Sequence, residues 1–358
     1  MKATKQLHAL GQSLWLDNIT RDLLTSGTLQ RYIDELSVTG LTSNPSIFDH
    51  AITHSEAYDE DISRQASAGK TGEALFFELA IQDLTRAADM FAPIHKRTAG
   101  VDGWVSLEVS PLLAHDTMKT VAAARSLHAQ AKRPNLFIKI PGTLEGLPAI
   151  EEAIFAGVPV NVTLLFSRDD YVRAADAYMR GLERRVAANL DPDVRSVASL
   201  FVSRWDKATL ERVPAELRDR VGIAVSQQSY KAYRDLLESE RWQRLEGYGA
   251  RPQRLLFAST STKDPQAPDV LYIGALAAPN TVNTMPEETL LAFAEHGAVD
   301  RAMPRDGGDA ETVLVAITRA GVDLATLARQ LQDEGAKGFV ESWKDLLGAI
   351  TTKGKALA

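Results

Sequence analysis

The sequence predicts an α/β fold, a single (β/α)8 barrel over residues 1–358 with additional helices that include a C-terminal one. Three observations carry this expectation. Eight strand-like apolar runs alternate with helical stretches, the order that builds a parallel sheet, and eight such units close naturally into a barrel. Polar residues gather near the C-terminal ends of these runs, where barrels of this kind keep their chemistry. No G-x-G-x-x-G turn follows the first run, which weakens the doubly wound open sheet as the alternative.

The first strand is read at 14–19, where Leu14-Trp15-Leu16-Asp17 alternates, and a short helical segment follows around 27–36. The second strand, 38–45, stops at Pro45, which has no N–H to continue a ladder. Residues 46–98 read as helical, with Leu75, Leu79, Leu84, Ala88 and Phe91 on one stripe. The third strand is placed at 101–109 and is followed by a helix over 116–131 with an acidic start. The fourth is Asn135-Leu136-Phe137-Ile138-Lys139-Ile140-Pro141-Gly142, an apolar run interrupted by one lysine. After a turn and helix over 142–154, the fifth strand covers 158–166, and Ser167-Arg168-Asp169-Asp170 opens a helix as N-cap and acidic first turn. The sixth strand is 197–202, a polar helical stretch runs over 207–245, and the seventh strand is 254–260. Residues 271–276 supply the eighth. From Pro286 the tail is mostly helical, interrupted by Pro304-Arg305-Asp306-Gly307-Gly308.

Of 358 residues, 45% are hydrophobic and 24% charged, an ordinary globular composition that supports a large core. A net charge of -7 without a long basic run argues against a general nucleic-acid surface. The absence of cysteine excludes disulfides, thiolate metal sites and cysteine nucleophiles. Residues 1–10 lack an apolar core with a cleavage signature, and no apolar segment has bilayer-spanning length. A cytoplasmic protein with no membrane partner is expected. Exposed faces of the helices at 215–245 and of the C-terminal helix leave a homo-oligomer open.

Strand parity sorts the residues into two faces. Leu136, Ile138 and Ile140 oppose Phe137 and Lys139; Val160, Val162 and Leu164 oppose Asn161 and Thr163; Val105, Leu107 and Val109 oppose Ser106, Glu108 and Ser110. In a barrel the apolar set packs on the outer helices and the mixed set points inward. Asp17, Asn44, Glu108, Lys139, Asn161, Thr163 and Ser199 then converge on one cavity. An ammonium group there is penalised by desolvation, so Lys139 is either paired with a carboxylate or favoured as the neutral amine. A neutral amine attacks a carbonyl and forms a Schiff base.

Four blocks carry a family resemblance: Thr42-Ser43-Asn44-Pro45-Ser46, Ile138-Lys139-Ile140-Pro141, Asn161-Val162-Thr163-Leu164-Leu165-Phe166-Ser167 and Ser199-Leu200-Phe201-Val202-Ser203-Arg204. With Ala278 to Pro286 and Gly335-Ala336-Lys337-Gly338-Phe339, they resemble the transaldolase family in its longer bacterial form, a class I TIM-barrel aldolase type. The resemblance implies a cofactor-free, metal-free transferase of the non-oxidative pentose phosphate pathway. It would move a dihydroxyacetone unit from sedoheptulose 7-phosphate or fructose 6-phosphate to glyceraldehyde 3-phosphate or erythrose 4-phosphate. Carried over by position, Lys139 is the Schiff-base lysine, Asp17 the general acid/base, and Glu108 with Thr163 a water relay. Asn44, Asn161 and Ser199 hold hydroxyls of the three-carbon unit, Phe201 matches the transferase's residue, and Arg204 binds the phosphate. Shorter family members carry a second phosphate arginine after strand seven. This chain reads Ser259-Thr260-Ser261-Thr262-Lys263 there, so Ser259 and Lys263 are carried over to the anion pocket.

Competing expectations are a fructose-6-phosphate-type aldolase releasing free dihydroxyacetone, a transferase of sulfonated sugars, and a non-catalytic sugar-phosphate-binding barrel. His50 and His54 stand at helical spacing without an accompanying acid motif and read as a solvated face rather than a metal site. Gly142-Thr143-Leu144-Glu145-Gly146 lacks the Lys-Ser/Thr ending of a nucleotide loop.

Overall fold

The computed structural model describes residues 2–357. Strands β1 (Ser13–Asp17), β2 (Val38–Thr42), β3 (Val105–Glu108), β4 (Leu136–Pro141), β5 (Val160–Leu165), β6 (Ser196–Phe201), β7 (Gln253–Ala258) and β8 (Val282–Met285) pair in sequence order. All the pairings are parallel, and β8 returns to β1 to close the barrel. Helix α1 (Ala3–Leu10) precedes β1, and α2 (Arg21–Thr25) and α3 (Thr28–Leu36) follow it. After β2 come α4 (Pro45–Thr53), α5 (Asp59–Ser67) and α6 (Gly72–Arg97). One helix each follows β3, β4 and β5: α7 (Thr117–Ala131), α8 (Gly146–Phe155) and α9 (Arg168–Ala187). Then α10 (Ser203–Thr209), α11 (Val221–Leu237) and α12 (Glu240–Gly247) follow β6, and α13 (Leu271–Ala275) follows β7. The chain ends in α14 (Glu287–His296), α15 (Ala310–Arg319) and α16 (Leu324–Ala356).

One predicted strand is wrong. Residues expected to form the eighth strand, 271–276, are helix α13, and the barrel closes instead through Val282–Met285. A short apolar run carries no periodicity that separates strand from helix, and Ala275 favours helix while Gly274 is poor in a strand. Strand ends also move inward: the third strand loses 101–104 because Gly103, at φ +83°, turns the chain there. The predicted helical stretch at 46–98 breaks into α4, α5 and α6, and that at 207–245 into α10, α11 and α12.

The two-face pattern sorts the interior. Leu14, Leu16, Leu107, Ile138, Ile140 and Val162 pack outward in the large cluster shared with the helices. Trp15, Trp104, Phe137, Val197, Leu256 and Val282 fill the barrel's lower interior, with Trp104 stacked on Phe137 at 4.0 Å. Gly40 accommodates this layer: a Cβ there would lie 2.7 Å from Trp15 Nε1 and 2.6 Å from the Trp104 carbonyl. Below, Trp15 Nε1 donates to Asp102 Oδ1 at 2.8 Å, and Arg254 donates to Ser13 Oγ at 2.7 Å and to the Thr281 carbonyl at 2.8 Å. The N-terminal end of the barrel is thereby plugged.

Leu164 departs from strict alternation. It adopts φ +60°, and the β5–β6 register slips between Val162 and Leu165. This bulge takes Leu164 off the outer face and into a cluster with Phe166, Phe201 and Phe339. Helix α16, capped by Asp323 accepting from Thr326 N at 3.0 Å, packs against β5 as well as α4, α5 and α6. Among the described residues, no helix is long and apolar enough to cross a membrane.

Candidate active site

Register brings the strand-end residues side by side. Lys139 pairs with Glu108 on one side and Asn161 on the other, and Asp17 pairs with Thr42. Lys139 Nζ, 5% exposed, lies 3.0 Å from Glu108 Oε2 and donates to the Ser43 carbonyl at 3.2 Å. The buried contact with Glu108 is an ion pair, and Lys139 is the charge that favours the Glu108 carboxylate there. Thr163 Oγ1 is fully buried and unpartnered among the described residues. Burial pushes the Glu108 carboxyl above its ordinary range; Lys139 pulls it back and the charge of Asp17 pushes it further up.

Asp17 sits across the cavity at the end of β1. Desolvation raises its carboxyl too, against the pull of Lys139 and of Thr42, whose hydroxyl donates to Oδ1 at 2.6 Å. The two acids share a cation and differ in surroundings, which suits them to separate proton transfers. Ser199 donates to Asn161 Oδ1 at 2.7 Å, and Asn161 donates to Ser106 Oγ at 3.1 Å, fixing both inward-facing side chains. Asn44 caps α4, accepting from Ile47 N at 3.1 Å through Oδ1, which leaves its amide NH2 for the cavity it lines.

The outer end of the cavity is basic. Arg204 lies with its guanidinium 5.1 Å from the Phe201 ring centre and makes no hydrogen bond or ion pair with a described residue. Asp206, two residues further along α10, is not its partner: it accepts from Tyr272 OH at 2.8 Å, Val221 N at 2.9 Å and Gly222 N at 3.1 Å. Lys263 Nζ donates to Ser261 Oγ at 2.6 Å, and Ser259, at φ +55°, stands hydroxyl to hydroxyl with Ser203 at 2.9 Å. Burial lowers the affinity of Lys263 for its proton, with Glu288 opposing and Lys207 and Arg204 adding to the effect.

These groups line a cavity of about 180 Å³. Asp17, Asn44, Lys139, Thr163, Ser199, Phe201, Arg204, Ser259 and Lys263 reach it directly; Glu108 and Asn161 stand behind, against Lys139 and Ser199. The set combines a buried amine, two acids, hydroxyl handles and a cationic end, as covalent chemistry on a phosphorylated sugar requires. Over residues 14–350 the chain matches the family described as transaldolase/fructose-6-phosphate aldolase.

The chain belongs to that family.

It is 47% identical over 360 residues to a curated transaldolase of Parafrankia sp. (strain EAN1pec), covering 98% of this chain and 97% of the relative. A transaldolase of Arthrobacter sp. (strain FB24) is 44% identical over 356 residues, covering 97% and 96%. Transaldolase 2 of Nostoc punctiforme is 39% identical over 372 residues, covering 99% and 98%.

Beyond the sequence-based set, this transaldolase-family cavity is also lined by Thr42, Thr284, Ser261 and Phe339. Thr42, Thr284 and Phe339 lie inside resemblance blocks without a role. Thr284 was hidden by the misplaced eighth strand, since its inward parity appears only once Val282–Met285 is the strand. A larger groove of about 880 Å³, bordered by α9, α11, α15 and α16, contains none of the sequence-predicted site residues. Its polar rim is largely self-paired, as in His115 with Glu145 and Arg173 with Asp170. His50 and His54 stack at 4.4 Å on the exposed end of α4, away from the cavity.

Proposed function

We propose that this chain is a transaldolase, moving a three-carbon dihydroxyacetone unit from a ketose phosphate to an aldose phosphate through a Schiff base on Lys139. The observation that carries this reading is the buried Lys139–Glu108 pair facing Asp17 in a cavity with a cationic outer end. In the proposed course, Lys139 Nζ gives a proton to Glu108 and adds as the neutral amine to the ketose C2 carbonyl, and Glu108 with Thr163 then returns the proton to the hydroxyl that leaves as water when the carbinolamine becomes an iminium. Asp17 takes the proton of the C4 hydroxyl as the C3–C4 bond breaks, and the iminium accepts the electron pair as an enamine. The first aldose phosphate leaves. The enamine C3 attacks the aldehyde carbon of the incoming aldose phosphate, Asp17 returns the proton, and water releases the new ketose phosphate.

Asn44 and Ser199 hold the hydroxyls of the retained unit, and Asn161, which stands behind Ser199, orients its hydroxyl rather than touching substrate as the resemblance implied. Arg204, with Ser259 and Lys263, takes the phosphate shared by donor and acceptor. We read residues 1–358 as one domain acting in the cytoplasm, in the non-oxidative exchange of sugar phosphates.

The test is a coupled assay with fructose 6-phosphate as donor, following glyceraldehyde 3-phosphate with and without erythrose 4-phosphate. Steady product that requires the acceptor establishes three-carbon transfer; steady product without it makes the protein an aldolase that releases dihydroxyacetone. Borohydride in the presence of donor should inactivate the enzyme by reducing the adduct onto Lys139. Substantial turnover by Lys139→Ala would sink the mechanism.

A further inference from the structure

The block Gly335-Ala336-Lys337-Gly338-Phe339 is prominent in the sequence, yet the reaction above gives Gly335 no part. It sits on α16, where that helix packs against β5. Gly335 has no left-handed φ, so the backbone does not require a glycine there. The space around it does. A Cβ at 335 would lie 2.9 Å from Arg204 Nη1 and 2.9 Å from Leu164 Cδ2, closer than real side chains approach. Gly338 and Gly348 of the same helix have nothing within 4 Å of such an atom, so the crowding is specific to this position.

Arg204 is sensitive to this neighbour because no direct polar contact with a described residue fixes it; beyond packing, the charge of Glu334 acts on it. Its guanidinium rests 5.1 Å from the centre of the Phe201 ring and makes no hydrogen bond or ion pair with a described residue. Its orientation is set by packing and by the charge of Glu334 on α16, and the bare backbone at Gly335 is part of the slot. The bulged Leu164 forms another part of that slot, held from the same helix by Gln332, whose side chain donates to the Leu164 carbonyl at 2.8 Å.

We propose that Gly335 is a positioning residue for the anion site: its missing side chain leaves the slot that aims Arg204 into the cavity, and so sets the preference for phosphorylated over unphosphorylated sugars. The inference rests on the reading that Arg204 receives the substrate phosphate.

Gly335→Ala tests it. Alanine favours helix, and both atoms it displaces are tips of flexible side chains, so the variant is expected to fold. With fructose 6-phosphate as donor, KM for erythrose 4-phosphate should rise about tenfold, the scale of one charge-assisted contact, while kcat holds. The kcat/KM for unphosphorylated erythrose and borohydride trapping of the lysine adduct at saturating fructose 6-phosphate should stay as in the parent. Arg204→Ala should show the same selective loss, and adding Gly335→Ala to it should cost nothing further. Equal loss on both acceptors, or an additive double variant, would show that Gly335 acts on the fold rather than through Arg204. A selective loss in Arg204→Ala with none in Gly335→Ala overturns the inference and leaves the anion site standing. If Arg204→Ala itself spares erythrose 4-phosphate, the anion-site reading fails first and takes the inference with it.

Discussion

Thr42 Oγ1 donates to Asp17 Oδ1 at 2.6 Å and stands 2.7 Å from Thr284 Oγ1, so the acid at the end of β1 is tied to both neighbouring strands. The bond favours the carboxylate, opposing the desolvation that raises its pKa. Thr42→Val removes it, so the pKa of Asp17 should climb further. If Asp17 is the base, as proposed, it must be ionised to accept a proton, so the acid limb of the kcat/KM profile should move to higher pH while the alkaline limb stays. An unmoved acid limb would assign that limb to another group.

Glu108 is the partner of a buried ammonium group, 3.0 Å away. Glu108→Gln should lower kcat by about 10²–10⁴-fold, the range for a lost general acid/base. Leaving Lys139 without its counter-charge should also cost about 3–5 kcal/mol in urea unfolding. Combining Glu108→Gln with Lys139→Met should recover much of that stability without activity. A double variant no more stable than the single would show that the pair's charge balance is not what is lost.

Arg21 anchors the segment after β1. It is 6% exposed, donates to Asp83 at 3.0 Å and to the Ala57 carbonyl at 3.0 Å, pairs with Asp61, and lies 4.4 Å from the Tyr58 ring centre. Arg21→Ala strands the fully buried Asp83, while Asp61 keeps its pair with Arg64, and should cost about 3–5 kcal/mol by urea titration. Since the network does not line the cavity, kcat and KM should stay near the parent's where the variant is folded. A large kcat loss in a stable variant would move Arg21 into the site.

Asp206 carries a pH signature. Burial pushes its carboxyl from an ordinary 3.8 to about 6, against the hydrogen bonds from Tyr272, Gly222 and Val221. Between those values the folded chain binds more protons than the unfolded one, so this group's contribution to stability falls as pH rises. The fall amounts to about 3 kcal/mol, complete above the folded pKa. Asp206→Asn should flatten this slope. Unfolding measured near pH 4.5 and near pH 7 should show the parent losing stability relative to the variant at the higher pH; parallel curves would refute the assignment.

Much of the site was legible because strand geometry is a parity rule. Once Lys139 and Asn161 were placed on strands, their inward direction and their neighbours followed, and the register pairs them. Parity failed where the chain left it. The bulge at Leu164 inverts one residue, and the run at 271–276 gave no period to read, which concealed Thr284. The contacts of Gly335 and Phe339 depend on how a helix more than a hundred residues beyond β5 comes to rest. No local pattern encodes that, although the blocks containing them stood out in the sequence.

The plug of Trp15, Asp102 and Arg254 makes the barrel a cul-de-sac. In the proposed reaction, the departing aldose and its replacement must use one doorway and one berth for their phosphates. The first must vacate before the second docks, so the steady-state pattern should be parallel lines in double-reciprocal plots. Excess acceptor should compete with donor for the unmodified enzyme.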